Sequence, residues 1–244
     1  AAEDIDVTNI LVAQWGDLFT NTWDYTGGLS KVSTRDTLIW VGQENRQHTL
    51  GHSSLLGITK PIYPICTGDA EEAELGAELE NVIGEWLEKT RMQGGLALIP
   101  HFPYPICENA SLIMNDLVDA VEFSYAMRGE PRELYDYCYH FLNLGQRVPV
   151  VGGTDKMSNT CILGNCRTFA FLGKDEPLTY ERWKRAVRRG RTYSSLGPVL
   201  FFRADGRHLG DTILLGRGGG TIEVEAGADS VYPFDYIEVV MNGR

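Results

Sequence analysis

Glu44, Arg46, His48 and His52 fall within nine residues of one another, in Gly-Gln-Glu-Asn-Arg-Gln-His-Thr-Leu-Gly-His over positions 42–52. A carboxylate and two imidazoles at that density are the donors from which divalent-cation sites are built, and zinc, manganese and iron all accept the mixture. A cation so held polarises a substrate oxygen and activates a water for attack on an electrophile. Two further candidates follow apolar runs downstream: His101 closes Leu96 to Pro100, and Asp155 follows Val148 to Val151 through Gly152-Gly153-Thr154. Glu44, His52, His101 and Asp155 are therefore the expected metal ligands, with His48 and Glu122 as additions. A single histidine after a strand is ordinarily a hydrogen-bonded structural residue; the repeated placement is what points to a metal. Arg46 has two readings, bidentate binding of a substrate carboxylate or phosphate or a salt bridge that holds Glu44. Arg46 and His48 are the candidate catalytic residues. His140 and His208 lack the strand-end placement and read as structural or surface residues.

The elements that must position these groups alternate along the chain. Ile5 to Ala13, Leu38 to Val41, Ser53 to Ile58, Leu96 to Pro100, Asp119 to Phe123, Val148 to Val151 and Thr168 to Leu172 are apolar or β-branched runs suited to strands in a covered sheet. Helical spacing appears at Leu75, Leu79, Val82 and Trp86, at Leu134, Cys138 and Phe141, and at Tyr180, Trp183 and Val187. Gly94, Gly145 and Gly190 suit the ends of those helices. Gln14 to Asp36 has no period and reads as a long loop, of the kind that is usually functional. Strands and helices in alternation predict an α/β barrel or doubly wound sheet. In a barrel, residues that follow strands gather on one rim, where active sites lie. After Gly197-Pro198 the texture changes to short β runs, Val199 to Ala204, Thr221 to Ala226 and Tyr236 to Met241, separated by Gly-rich turns. This predicts a first domain over 1–196 and a β-rich module over 197–244.

The 244 residues carry a formal net charge of −11, which argues against a nucleic-acid surface. No apolar run approaches the roughly 20 residues needed to span a membrane. The five cysteines include no Cys-x-x-Cys pair and read as free thiols, which weakly favours a reducing compartment. The chain begins at Ala1 with a strand close behind and ends on a strand and turn, so it reads as a piece of a longer protein.

Several segments, in this order and spacing, carry a resemblance. They are Ala2-Glu3-Asp4-Ile5-Asp6-Val7-Thr8-Asn9-Ile10-Leu11, Gly42-Gln43-Glu44, Gly51-His52-Ser53-Ser54-Leu55-Leu56-Gly57 and Ile99-Pro100-His101. Val121-Glu122, Leu144-Gly145-Gln146-Arg147-Val148-Pro149, Gly152-Gly153-Thr154-Asp155, Arg167-Thr168-Phe169 and Gly190-Arg191-Thr192-Tyr193 follow. Together they resemble the CehA/McbA-type metallohydrolases of the polymerase-and-histidinol-phosphatase (PHP) superfamily. The resemblance implies a distorted (β/α)7-type barrel and a cluster of up to three divalent metals. It implies hydrolysis of an amide, carbamate or phosphate ester, with Glu44, His52, His101 and Asp155 on metal-ligand positions. Two departures stand out. The family's His-x-His pair on the first strand is missing, as though the chain began just downstream of it. Its closing Asp-x-His is Asp155-Lys156-Met157 here, and a thioether is a poor ligand for a hard or borderline ion. The expectation is a metal-dependent hydrolase acting on a small molecule, with fewer ligands than a full site. The alternative is a degenerate, non-catalytic member that binds a ligand or partner.

Overall fold

The computed structural model describes residues 3–15, 18–19, 25–47, 50–67, 83–104, 107–124 and 131–243. Its centre is one sheet. β1 (Val7–Trp15) pairs antiparallel with the short β2 (Leu18–Phe19) and parallel with β3 (Leu38–Gln47). β4 (Gly51–Leu56) runs back antiparallel to β3, while the two-residue β5 (Cys66–Thr67) pairs with the end of β3. β6 (Leu96–Ile99) is antiparallel to β4 and parallel to β7 (Ala120–Ser124), which is parallel in turn to β8 (Val150–Gly153). Hence β1, β3, β6, β7 and β8 all point one way and β4 points the other.

The protein is thus of mixed α/β class, with a sheet that is only partly built from strand–helix–strand units. β3 and β4 form a direct hairpin, and no helix lies between β1 and β3 among the described residues. The expected α/β alternation sets in only from β6 onward.

Strand alternation sends neighbouring residues to opposite faces, and both faces are covered. Leu55, Ala97, Ile99, Val121 and Phe123 pack on one face with α1 (Ile83–Met92), α2 (Asn109–Met114) and α3 (Pro131–Asn143). Ile83, Trp86 and Leu87 of α1 are completely buried there, each contributing about 1.5–3 kcal/mol. Leu56, Leu96, Leu98, Ala120 and Val151 face the other way, toward Val187 and Trp183 of α4 (Tyr180–Arg188). α4 starts where the Thr179 side chain accepts from the Arg182 amide at 3.2 Å, satisfying one of the free N–H groups of a helix start. Upstream of Ile83, the helix expected from Leu75 and Leu79 falls outside the described residues.

Beyond β8 the sheet is continued by side chains. β9 (Arg167–Ala170) and β10 (Thr192–Ser195) pair with each other. The Thr168 hydroxyl donates to the Gly152 carbonyl and accepts from its amide, both at 2.9 Å, and the Thr192 hydroxyl donates to Val150 at 2.7 Å. Gly152 allows this approach, since a Cβ there would sit 2.8 Å from the Arg167 carbonyl oxygen. Arg167 then reaches the Glu3 carbonyl at 2.8 Å, and the Tyr180 hydroxyl reaches Asn9 at 2.5 Å. The sheet therefore curls until its late elements touch the approach to β1, as a half-barrel.

After Ser195, β11 (Val199–Ala204) and β12 (Val224–Asp229) form an isolated two-stranded ladder. The strand expected over Tyr236 to Met241 is not formed: these residues are in no ladder, and Tyr236 and Met241 are exposed. Their apolar pattern matches a strand, but strands need a pairing edge as well as a pattern.

Candidate metal centre

Glu44 lies inside β3, and so does Arg46, both on its Leu56-side face. The sequence reading ended this strand at Val41 because the next residues are polar. They are nonetheless buried, and the amides among them are answered. On the opposite face of β3, Gln43 and Asn45 both donate to the Ile62 carbonyl at 3.0 Å, and Gln43 accepts from the Ile62 amide at 2.7 Å. That polar ladder fixes the segment after β4 against β3 and keeps the strand straight up to its ligand.

His52 is the second residue of β4, inside the start of its strand, where the sequence reading had every ligand follow one. It still reaches the common rim, because an antiparallel strand starts where its parallel neighbours end. In the register it faces Arg46, while Glu44 faces Ser54. His101 follows β6 directly. Its backbone is in the left-handed region, at φ 37°, and Asp155 after β8 is likewise at φ 48°. Such conformations carry strain in non-glycine residues and cluster at functional sites.

Three donors converge. His52 Nδ1 lies 3.2 Å from Glu44 Oε1, His101 Nε2 lies 3.9 Å from the same oxygen, and the two ring nitrogens are 3.0 Å apart. All are within 4.8 Å of one another, a spacing that a single cation can bridge. The tautomer of His101 is set by its other nitrogen, because Nδ1 is 2.7 Å from the Tyr104 carbonyl, which can only accept. Neutral His101 therefore turns a lone pair on Nε2 toward Glu44 and His52. A carboxylate oxygen and two imidazole nitrogens pointed at one spot repel unless a proton or a cation sits between them. The donor set thus fits a divalent ion, with the Tyr104 carbonyl in the orienting role that metal-bound histidines ordinarily have.

The electrostatics favour the metal-ready forms of Glu44 and His52, while His101 is pulled toward its protonated form. Burial alone would raise the Glu44 carboxyl, but hydrogen bonds with His101 and His52 and the Arg46 guanidinium hold it far below the usual carboxylate range. Burial lowers His52, outweighing the pull of Glu44, so its ring favours the neutral form that a metal needs. Burial also works to lower His101, but Glu44, the Tyr104 carbonyl and Asp155 override it and raise the ring. Arg46 Nη2 is 3.1 Å from Glu44 Oε2, the geometry of the salt-bridge reading.

Asp155 is outside the convergent trio, although its charge is felt at His101 and Glu122. Glu122, on the same face of β7, keeps some solvent access. Burial pushes its carboxyl up to about 8, with Asp155 and Glu44 adding to the rise and His101 opposing it. It fits only because position 153 is glycine: a Cβ there would lie 2.1 Å from Glu122 Oε1. His48 lies outside the described residues. Sequence reading missed the parts played by the Tyr104 carbonyl and Gly153, and no side-chain chemistry marks either. Met157 is exposed, and Lys156 donates to the carbonyls of Ser158 and Cys161 within its own loop.

No protein-family model matches the chain, and no curated protein matches it. Among solved structures, the crystal structure of PsfC from Pseudomonas syringae PB-5123 is similar, at 16% identity and a TM-score of 0.45. The match covers 69% of this chain and 65% of that one, so the chain spans just under two thirds of that protein's length.

Proposed function

We propose that this chain is the body of a metal-dependent hydrolase of the PHP type, cleaving an amide, carbamate or phosphate ester of a small molecule. The observation that carries the reading is the convergence of Glu44, His52 and His101 from three different strands onto one point. A bound zinc, manganese or iron ion would supply Lewis acidity and a water activated at neutral pH. Glu44 and the two imidazoles would hold that ion. Arg46 positions Glu44 through its ion pair, and the Tyr104 carbonyl orients His101. Asp155, on the same rim, is the candidate for a further ligand, and Glu122 stands beside it to exchange a proton with the substrate. The finer architecture that goes with this reading is a distorted (β/α)7-type barrel. Elemental analysis of protein purified without chelator should find at least one divalent ion per chain, lost in Glu44→Gln and His52→Ala. A panel of carbamate, amide and phosphate esters should then show turnover that follows metal content. Protein that holds no divalent ion after equilibration with zinc, manganese and iron would sink the proposal.

A second reading rests on Asp155-Lys156-Met157. With Met157 exposed and Lys156 tied to its own loop, this triplet offers a single ligand. In that reading the site binds one ion and a ligand without turnover. Metal at full occupancy with no hydrolysis across the panel would favour it.

A further inference from the structure

The opposite rim of the sheet has a different chemistry. Two adjoining clefts, of about 330 and 370 Å³, share Arg189 and Arg191 in their walls. The first adds Lys174, Arg182 and Arg185, with Glu176 as its one acid; the second adds Arg147 and Arg188, with Asp211 as its one acid. Seven cations thus face two carboxylates in a chain whose net charge is −11. That concentration does not follow from composition.

Some of these cations are committed to the fold. Arg182 pairs with Glu176 at 2.6 Å and Arg191 with Asp211 at 3.0 Å, while Arg188 reaches Asp119 and the Gly94 and Gly95 carbonyls. Arg147 donates to the carbonyls of Arg189 and Gly210. Lys174, Arg185 and Arg189 are exposed, and no acid or carbonyl among the described residues meets their side chains. The Nε of Arg191 is buried without an acceptor. The dipole of α4 favours cations in its last turn, but Arg185 and Arg189 are four residues apart, a spacing at which like charges repel along a helix. A bound anion would relieve that repulsion by accepting from the exposed guanidinium groups.

The location separates this patch from the metal centre. Arg188 binds the backbone just before β6, and Arg147 precedes β8, whereas His101 and Asp155 follow those same strands. Guanidinium forks match phosphate oxygens in geometry and charge. Two small clefts joined through shared arginines suit an anion with more than one phosphoryl group, while the net negative charge of the whole chain disfavours a long nucleic-acid backbone. We propose that this rim binds a small, soluble, multiply phosphorylated anion at a site distinct from the metal centre.

The test is calorimetric titration of the full chain, stripped of metal and dialysed free of chelator, with inorganic tripolyphosphate at physiological salt. Saturable binding is expected. Arg189→Ala should weaken it about tenfold, the worth of one charge-assisted hydrogen bond, and Arg185→Ala should weaken it less. Both side chains are exposed and unengaged, so neither change threatens the fold. Glu44→Gln should leave the affinity unchanged. The proposal is overturned if no heat appears into the millimolar range, or if Arg189→Ala is silent. It is equally overturned if Glu44→Gln abolishes binding, or if the protein binds phosphoinositide vesicles but not free tripolyphosphate. None of these outcomes bears on the metal content of the other rim, so the two readings fail separately.

Discussion

The two rims of one sheet have been built by opposite rules. At the C-terminal rim, charge is drawn inward: Glu44 and Arg46 are buried as a pair, and two imidazoles close around the same carboxylate. At the N-terminal rim, charge is spread outward, and the buried anchor is Asp119, which accepts from the Ala97 amide at 2.9 Å and faces Arg91 and Arg188 at 3.6 and 3.4 Å. The first arrangement holds donors close against their mutual repulsion; the second already balances its buried charge and leaves cations over. Among the described residues, the first rim gathers donors that suit a cation, and the second leaves Lys174, Arg185 and Arg189 exposed without a partner acid.

Breaking each rim in turn should expose the difference. Glu44→Ala should have the largest effect, about 3–5 kcal/mol of lost stability, because it strips a buried guanidinium of its carboxylate; it should also abolish metal uptake. Urea unfolding and elemental analysis read the two effects separately. Asp119→Ala should cost about 2–3 kcal/mol through its backbone and arginine hydrogen bonds, yet leave metal content intact. A loss of metal in that variant would contradict the separation of the rims. Gly153→Ala should cost about 1–3 kcal/mol by overpacking against Glu122, and removal of the Glu122 side chain in the same protein should restore most of it, a coupling that a double-mutant cycle measures.

The smallest effect is a gain that depends on pH. The Glu122 carboxyl is raised to about 8 in the fold, so the native state holds its proton more tightly than the unfolded chain. That contribution is complete below the unfolded value and is lost as pH rises through about 8. Glu122→Gln mimics the protonated form. In metal-free protein it should raise stability by about 1–2 kcal/mol at pH 7.5, discounted for the solvent access of the carboxylate, with no gain near pH 4. An equal gain at both values would show that the benefit is packing rather than charge.

The parts of this design that could be read from the sequence are those written in apolar periodicity. β6 announces itself as an unbroken apolar run, β7 and β11 as mainly apolar ones interrupted by Glu122 and Arg203, and α4 by its spaced Tyr180, Trp183 and Val187. Glu44, His52 and His101 were visible as donors by type and place. What escaped was whatever depends on partners distant in the chain. The polar half of β3 reads as loop until Ile62 is known to satisfy Gln43 and Asn45. The direction of β4 was hidden for the same reason, since His52 looks like a strand-end residue from either side. Tyr236 to Met241 shows the converse: a strand-like pattern without an edge to join.

The β3–β4 hairpin carries two of the three convergent donors, Glu44 and His52, on facing strands with fixed partners. A slip of one residue in either strand would turn that strand's donor to the opposite face. Any ion that binds the trio therefore counts only correctly paired molecules. Its binding energy adds to the stability of that one alignment as RT ln(1 + [L]/Kd), about 2.7 kcal/mol at a hundredfold excess over Kd. Metal availability during synthesis would in this way act as a proofreader of strand alignment, and protein matured without metal would carry a larger misaligned fraction than the same chain matured with it.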